Sequence, residues 1–234
     1  VSMTGTRPLR KIARGTYWWA GVTSVGTFRS TNGLVWGSTP FIPGDDNYTG
    51  ITVNDNRFTT AGSEGRVRTT NDAGGTWSQD SGGTFGAILS LAYGNGITVG
   101  VGENEILMVS DDGGLKWDSL TPGYSSAWNY AVAFGHGRFV MASDLGVRVS
   151  TDGRNWRRLT MPPGANGFRT ITFSGSRFVL GGTNSRVAWS DDGENWNLVL
   201  LSGSNVFINA LTYGNGPFMF LENNGRIRTS PDGI

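Results

Sequence analysis

The sequence predicts an all-β chain built from one four-stranded antiparallel unit repeated six times. Three observations predict it: tryptophans return about every 40 residues, a Gly- or Asn-rich hairpin precedes most of the Trp-bearing turns, and pairs of small residues recur on one strand of most repeats. Trp36, Trp77, Trp117, Trp156 and Trp196 follow one another at intervals of 41, 40, 39 and 40 residues. Such a fixed period marks a repeat architecture. The 234 residues include 37 Gly, about twice the usual share of ~7%. Together with 12% aromatic residues, this composition suits tight turns joined to packed aromatic layers and does not suit a helical or disordered chain.

Each repeat opens with a strand ending in a hairpin, as in Tyr93-Gly94-Asn95-Gly96, Phe134-Gly135-His136-Gly137, Phe173-Ser174-Gly175-Ser176 and Tyr213-Gly214-Asn215-Gly216. Turns of this chemistry favour antiparallel pairing. An apolar second strand follows, such as Arg138-Phe139-Val140-Met141-Ala142, and after a polar turn a third, such as Gly146-Val147-Arg148-Val149. The third strand runs into Ser150-Thr151-Asp152-Gly153-Arg154-Asn155-Trp156, and the fourth starts at the Trp. Equivalent turns centre on Asn32, Asp72, Asp112 and Asp192, and a sixth, Ser230-Pro231-Asp232-Gly233-Ile234, lacks the Trp. In such a turn the Asp carboxylate can accept backbone N–H groups, Gly permits positive φ, and the Trp packs its ring between layers. The first strands carry Gly50 and Thr52, Ser90 and Ala92, Ala131 and Ala133, Thr170 and Thr172, and Ala210 and Thr212. Small side chains there suit sheets that converge on an axis.

Four antiparallel strands per ~40 residues, six times over, describe a six-bladed β-propeller. One domain is expected over residues 1–234, with blades at approximately 9–46, 47–86, 87–127, 128–166, 167–205 and 206–234. Residues 1–8 are expected to complete the last blade as its outermost strand and so close the ring, removing its open edges.

The turn pattern, Ser-x-Asp-(x)-Gly-x-x-Trp, resembles the Asp-box, or BNR, repeat family of sialidases and other glycan-handling and adhesive propellers. The resemblance spans nearly the whole chain, with five full copies and one truncated. It implies that Asn32, Asp72, Asp112, Asp152, Asp192 and Asp232, with Trp36, Trp77, Trp117, Trp156 and Trp196, are structural, and that function lies at the opposite end of the blades.

Composition narrows the function classes. A net charge of +1 is too small for the electrostatic footprint of a nucleic-acid binder. Without Cys, thiolate metal sites and a Cys nucleophile are excluded, and one His, His136, leaves no imidazole metal cluster. No apolar run approaches the ~20 residues of a membrane span. The Gly-x-Gly segments are hairpin turns with no helix after them, so no nucleotide or other cofactor is implied. A sialidase-like glycoside hydrolase would need an arginine cluster, a Tyr–Glu pair and an acid/base Asp. Those residue types are present, but no Arg-Ile-Pro segment is.

The expectation is therefore a non-catalytic recognition module, glycan-binding or adhesive, in a secreted, cell-surface or viral assembly, with a protein-interaction scaffold as the alternative. Its binding site is expected where equivalent loops vary most, in the connections at 37–50, 118–131 and 157–170. Tyr48, Tyr124, Trp128 and Phe168 are the expected stacking surfaces, since aromatic faces stack on sugars. Glu103, Asp144 and Arg186 are the expected polar partners.

Overall fold

The computed structural model describes residues 10–24, 26–39, 47–72, 74–78, 86–121, 126–201, 206–214 and 216–234. They form six antiparallel sheets of three or four strands and no α-helix, the architecture of a six-bladed β-propeller. Contacts gather the chain into two compact units, Val1–Ser126 and Ala127–Ile234.

The first unit holds three blades. Blade one comprises β1 (Lys11–Arg14), β2 (Trp19–Val22), β3 (Thr27–Ser30) and β4 (Gly37–Ser38). Blade two comprises β5 (Tyr48–Asn54), β6 (Arg57–Gly62) and β7 (Val67–Thr70), and blade three β8 (Ile88–Gly94), β9 (Ile97–Gly102), β10 (Leu107–Ser110) and β11 (Asp118–Ser119). In the second unit, blade four comprises β12 (Asn129–Gly135), β13 (Arg138–Ser143), β14 (Gly146–Ser150) and β15 (Arg157–Arg158). Blade five comprises β16 (Phe168–Phe173), β17 (Phe178–Gly182), β18 (Arg186–Ser190) and β19 (Asn197–Leu200), and blade six β20 (Ile208–Tyr213), β21 (Phe218–Glu222) and β22 (Ile227–Ser230). Within every sheet sequential strands are neighbours. The expected closing strand, residues 1–8, lies outside the described residues.

Apolar layers between successive blades hold each unit together. Ala20 and Val22 meet Tyr48, Ile51 and Phe58 between blades one and two, and Ala61 and Val67 meet Ile88, Leu91 and Met108 between two and three. In the second unit Val140, Val147 and Val149 meet Phe168, Phe178 and Leu180, while Val179 and Val187 meet Ile208, Phe218 and Phe220. Full burial of side chains this size contributes roughly 1.5–3 kcal/mol each. First strands of successive blades lie beside one another within each unit, which is where the small residues fall. At Gly50 a Cβ would meet Leu91 Cγ at 3.6 Å.

Candidate functional site

The turn end of each blade is a hydrogen-bonded corner. Asp152 Oδ1 accepts from Arg154 N at 2.9 Å, Asn155 N at 2.7 Å and Ser150 Oγ at 2.9 Å, and Asp192 is held the same way by Glu194 N, Asn195 N and Ser190 Oγ. Hydrogen bonds to the charged form, the Asn155 N–H first, keep the Asp152 carboxyl well below the usual carboxylate range. For Asp72 burial pushes upward, but hydrogen bonds from Thr70 and Thr76 outweigh it and hold the pKa at about 2. Trp36, Trp117 and Trp156 each donate their indole N–H to the turn glycine, Gly33, Gly114 and Gly153. Arginines at or just before the start of second strands reach to the next blade's corner, and Arg177 also binds that of its own blade. Arg57 donates to Asp112 O, Arg138 pairs with Glu194 at 2.6 Å, and Arg177 bonds Asp191 and Asp232 O.

At the connection end a second device repeats. In blades two to six the residue that starts the second-to-third-strand turn donates its N–H to the carbonyl sixteen positions earlier: Ser63 to Asn47, Glu103 to Ala87, Asp144 to Trp128, Thr183 to Gly167 and Asn223 to Phe207. In three blades the side chain answers. Glu103 Oε2 accepts from Ala87 N at 3.1 Å, Asp144 Oδ2 from Trp128 N at 2.9 Å and Asn223 Oδ1 from Phe207 N at 3.2 Å. These clamps fix the chain as it enters the first strand. Directly after, each first strand of blades two to six carries a register shift that leaves one residue unpaired: Thr49, Leu89, Tyr130, Arg169 and Asn209. Such bulges re-aim a side chain.

In the second unit the clamp and the bulges build a cluster. Tyr130 donates its hydroxyl to Asp144 Oδ1 at 2.9 Å, so both Asp144 oxygens are engaged. The Arg169 guanidinium lies 4.8 Å from the Tyr130 ring centroid, within cation–π range. Trp128 stands 6.0 Å from Tyr130, ring to ring, and remains 38% exposed. Burial and the bond to Asp144 push the Tyr130 hydroxyl above the usual tyrosine range. Beside the cluster a cavity of about 570 Å³ opens under residues 159–167, reaching Asp144, Val147 and Phe168.

Several expected site residues take other places. Tyr48 and Phe168 are 4% and 3% exposed and sit in the inter-blade layers, so neither offers a face for stacking. The reason is register: with Ile88, Asn129 and Ile208 they occupy one equivalent position, opposite Gly62, Gly102, Ser143, Gly182 and Glu222, and all five are buried. Glu103 accepts a backbone N–H at one oxygen, and Asp144 accepts a backbone N–H at one oxygen and the Tyr130 hydroxyl at the other. Arg186 heads β18 opposite Leu200. Tyr124 lies outside the described residues. The bulge residues Arg169, Thr49, Leu89 and Asn209 are what sequence reading missed. The signal was available, because each immediately precedes the first of its strand's small pair.

Neither a protein-family model nor a curated protein matches the sequence, so the Asp-box resemblance rests on the turn residues themselves. Solved structures do match. A chain in a structure described as YCF48 bound to D1 peptide superposes with a TM-score of 0.74 at 17% identity, over 98% of this chain and 80% of that one. A chain of the mitotic checkpoint complex gives 0.73 at 8% identity, over 94% and 72%, and the computationally designed Ika8 protein 0.61 at 12%, over 94% and 82%. At these identities the likeness establishes the fold alone: the chain is a six-bladed β-propeller.

Proposed function

We propose that this propeller is a non-catalytic module that binds an extended segment of a protein partner, received in the second unit at Trp128, Tyr130 and Arg169. The state of the charged groups there carries the reading. With Asp144 engaged at both oxygens and Arg169 over the Tyr130 ring, a ligand meets an exposed indole, a guanidinium with donors to spare and an adjoining cavity of mixed polar and apolar lining. Those groups suit peptide carbonyls and apolar side chains. Glycoside hydrolysis requires two carboxyl groups free to act on one bond, and Glu103 and Asp144 are already bound to backbone. The matched structures, one described with a bound peptide and one a multiprotein complex, agree with this direction. Among the described residues the glycan reading keeps one exposed stacking face, Trp128, while Tyr48 and Phe168 are buried.

Panning a random peptide library with the full chain, followed by anisotropy titration of the enriched peptides, tests it. Trp128→Ala should weaken binding at least about tenfold, roughly 1.4 kcal/mol, without lowering the melting temperature. No enrichment, or peptides that bind Trp128→Ala like wild type, would overturn the proposal. Glycan-array hits abolished by Trp128→Ala would transfer the site to a lectin, and released sugar to a hydrolase.

A further inference from the structure

Two arginines of blade four stand directly opposite one another. Arg148 on β14 is the cross-strand partner of Arg158 on β15. Directly opposed side chains start about 5 Å apart, and like charges so placed oppose folding. Elsewhere in this unit arginines have found anions: Arg138 and Arg157 share Glu194, Arg177 holds Asp191, and Arg228 holds Glu222. Among the described residues, Arg148 and Arg158 have no carboxylate partner.

Arg158 also lines the cavity under residues 159–167. Its guanidinium covers Gly146, where an added Cβ would lie 3.1 Å from Arg158 Nε. The cavity walls are mixed: Val147, Leu159 and Met161 supply apolar surface, and Ser143, Asp144, Thr160 and Asn166 supply polar groups. About 570 Å³ is within the range of ligand pockets and exceeds one side chain. A recess lined by both apolar and polar groups, with Arg158 on its wall, Arg148 opposite Arg158 on the neighbouring strand and the Asp144 carboxylate already hydrogen-bonded to Trp128 N and Tyr130, selects a ligand that carries an apolar group and an anion close together.

We propose that this recess is a subsite for an acidic peptide: an apolar ligand side chain fills the cavity, and a neighbouring Asp or Glu carboxylate bonds Arg158, with Arg148 adding its charge. A guanidinium fork matches a carboxylate with two parallel bonds. Binding also relieves a repulsion that the free protein carries. The inference rests on the peptide-binding reading for its class of ligand, but on different residues.

The test is a 12-residue peptide library panned against the full chain and against Arg158→Glu. Peptides enriched on wild type should place Asp or Glu beside a large apolar residue. They should lose at least about tenfold in affinity on Glu→Gln exchange in the peptide, on Arg158→Glu and on Arg148→Gln, and should weaken as salt rises from about 0.05 to 0.5 M. Because Arg158→Glu turns a repulsive pair into an attractive one, its melting temperature should rise by roughly 1–4 °C, which separates lost binding from lost structure. Enrichment without an acidic bias, or retained affinity in Arg158→Glu, overturns the proposal. So does binding that appears only when phosphoserine replaces the carboxylate. If Arg158→Glu abolishes binding while Trp128→Ala leaves it intact, the Trp128 surface falls and this subsite stands; the reverse pattern removes this subsite alone.

Discussion

Asp152 accepts four hydrogen bonds inside a turn of seven residues, and its loss leaves two backbone N–H groups, a hydroxyl and the Asn155 amide without that acceptor. Asp152→Ala and Asp192→Ala should each cost about 1–3 kcal/mol in urea unfolding while leaving peptide affinity at the connection end unchanged. Unchanged stability with lost binding would show that these corners serve the ligand. At this scale the sequence was legible where a residue's role is local. A Ser, an Asp, a Gly and a Trp at fixed spacing define their own turn. Tyr48 and Phe168 were misjudged because their role is not local. Nothing in the residues flanking them says that the preceding blade covers them, and only alignment on the small pair two residues downstream reveals that they share the position of Ile88 and Ile208.

At the scale of elements, the clamp between the connection and the second-to-third-strand turn explains why β6, β9 and β17 end in Gly62, Gly102 and Gly182. The entering chain crosses so close to the strand end that a Cβ at Gly182 would lie 2.2 Å from Gly167 O, and one at Gly102 2.0 Å from Ala87 O. The obstacle is backbone held by hydrogen bonds, so it cannot step aside as a side chain would. Gly182→Ala should therefore destabilise by at least about 2 kcal/mol, read from the denaturation midpoint, even though extended backbone there suits alanine. A change below about 0.5 kcal/mol would mean that the connection is freer than its hydrogen bonds imply. Strand order and the hairpins were readable from sequence because their signals are short-range. The bulges at Thr49, Leu89, Tyr130, Arg169 and Asn209 were not, since a register shift of one residue is decided by the pairing of two strands together.

Over the whole molecule the corners act together in acid. Asp72, Asp112, Asp152, Asp192 and Asp232 all have carboxyls held below the usual range in the folded chain. An unfolded Asp titrates near 3.9, so below about pH 4 the unfolded chain binds protons that the folded one refuses. The stability these groups contribute is fully present above that pH and is lost as pH falls through the folded values, Asp72's being about 2. Urea midpoints should be flat from about pH 7 to 5 and then fall steeply, with a shallower fall in Asp152→Asn plus Asp192→Asn. A flat profile down to pH 2 would refute the coupling. The number of blades was legible at this scale because tryptophans mark it. The proposed ligand surface was not, because it depends on which of many equivalent loops leaves its charges unmatched.

One corner stands apart. In blade one the acceptor is Asn32, whose Oδ1 takes the N–H groups of Leu34 and Val35 just as Asp152 takes those of Arg154 and Asn155. An amide has no proton to gain over this range. Blade one is thus a built-in internal control, and hydrogen exchange followed through an acid titration should find its amides at Leu34 and Val35 still protected when their counterparts at Arg154 and Asn155 have begun to exchange.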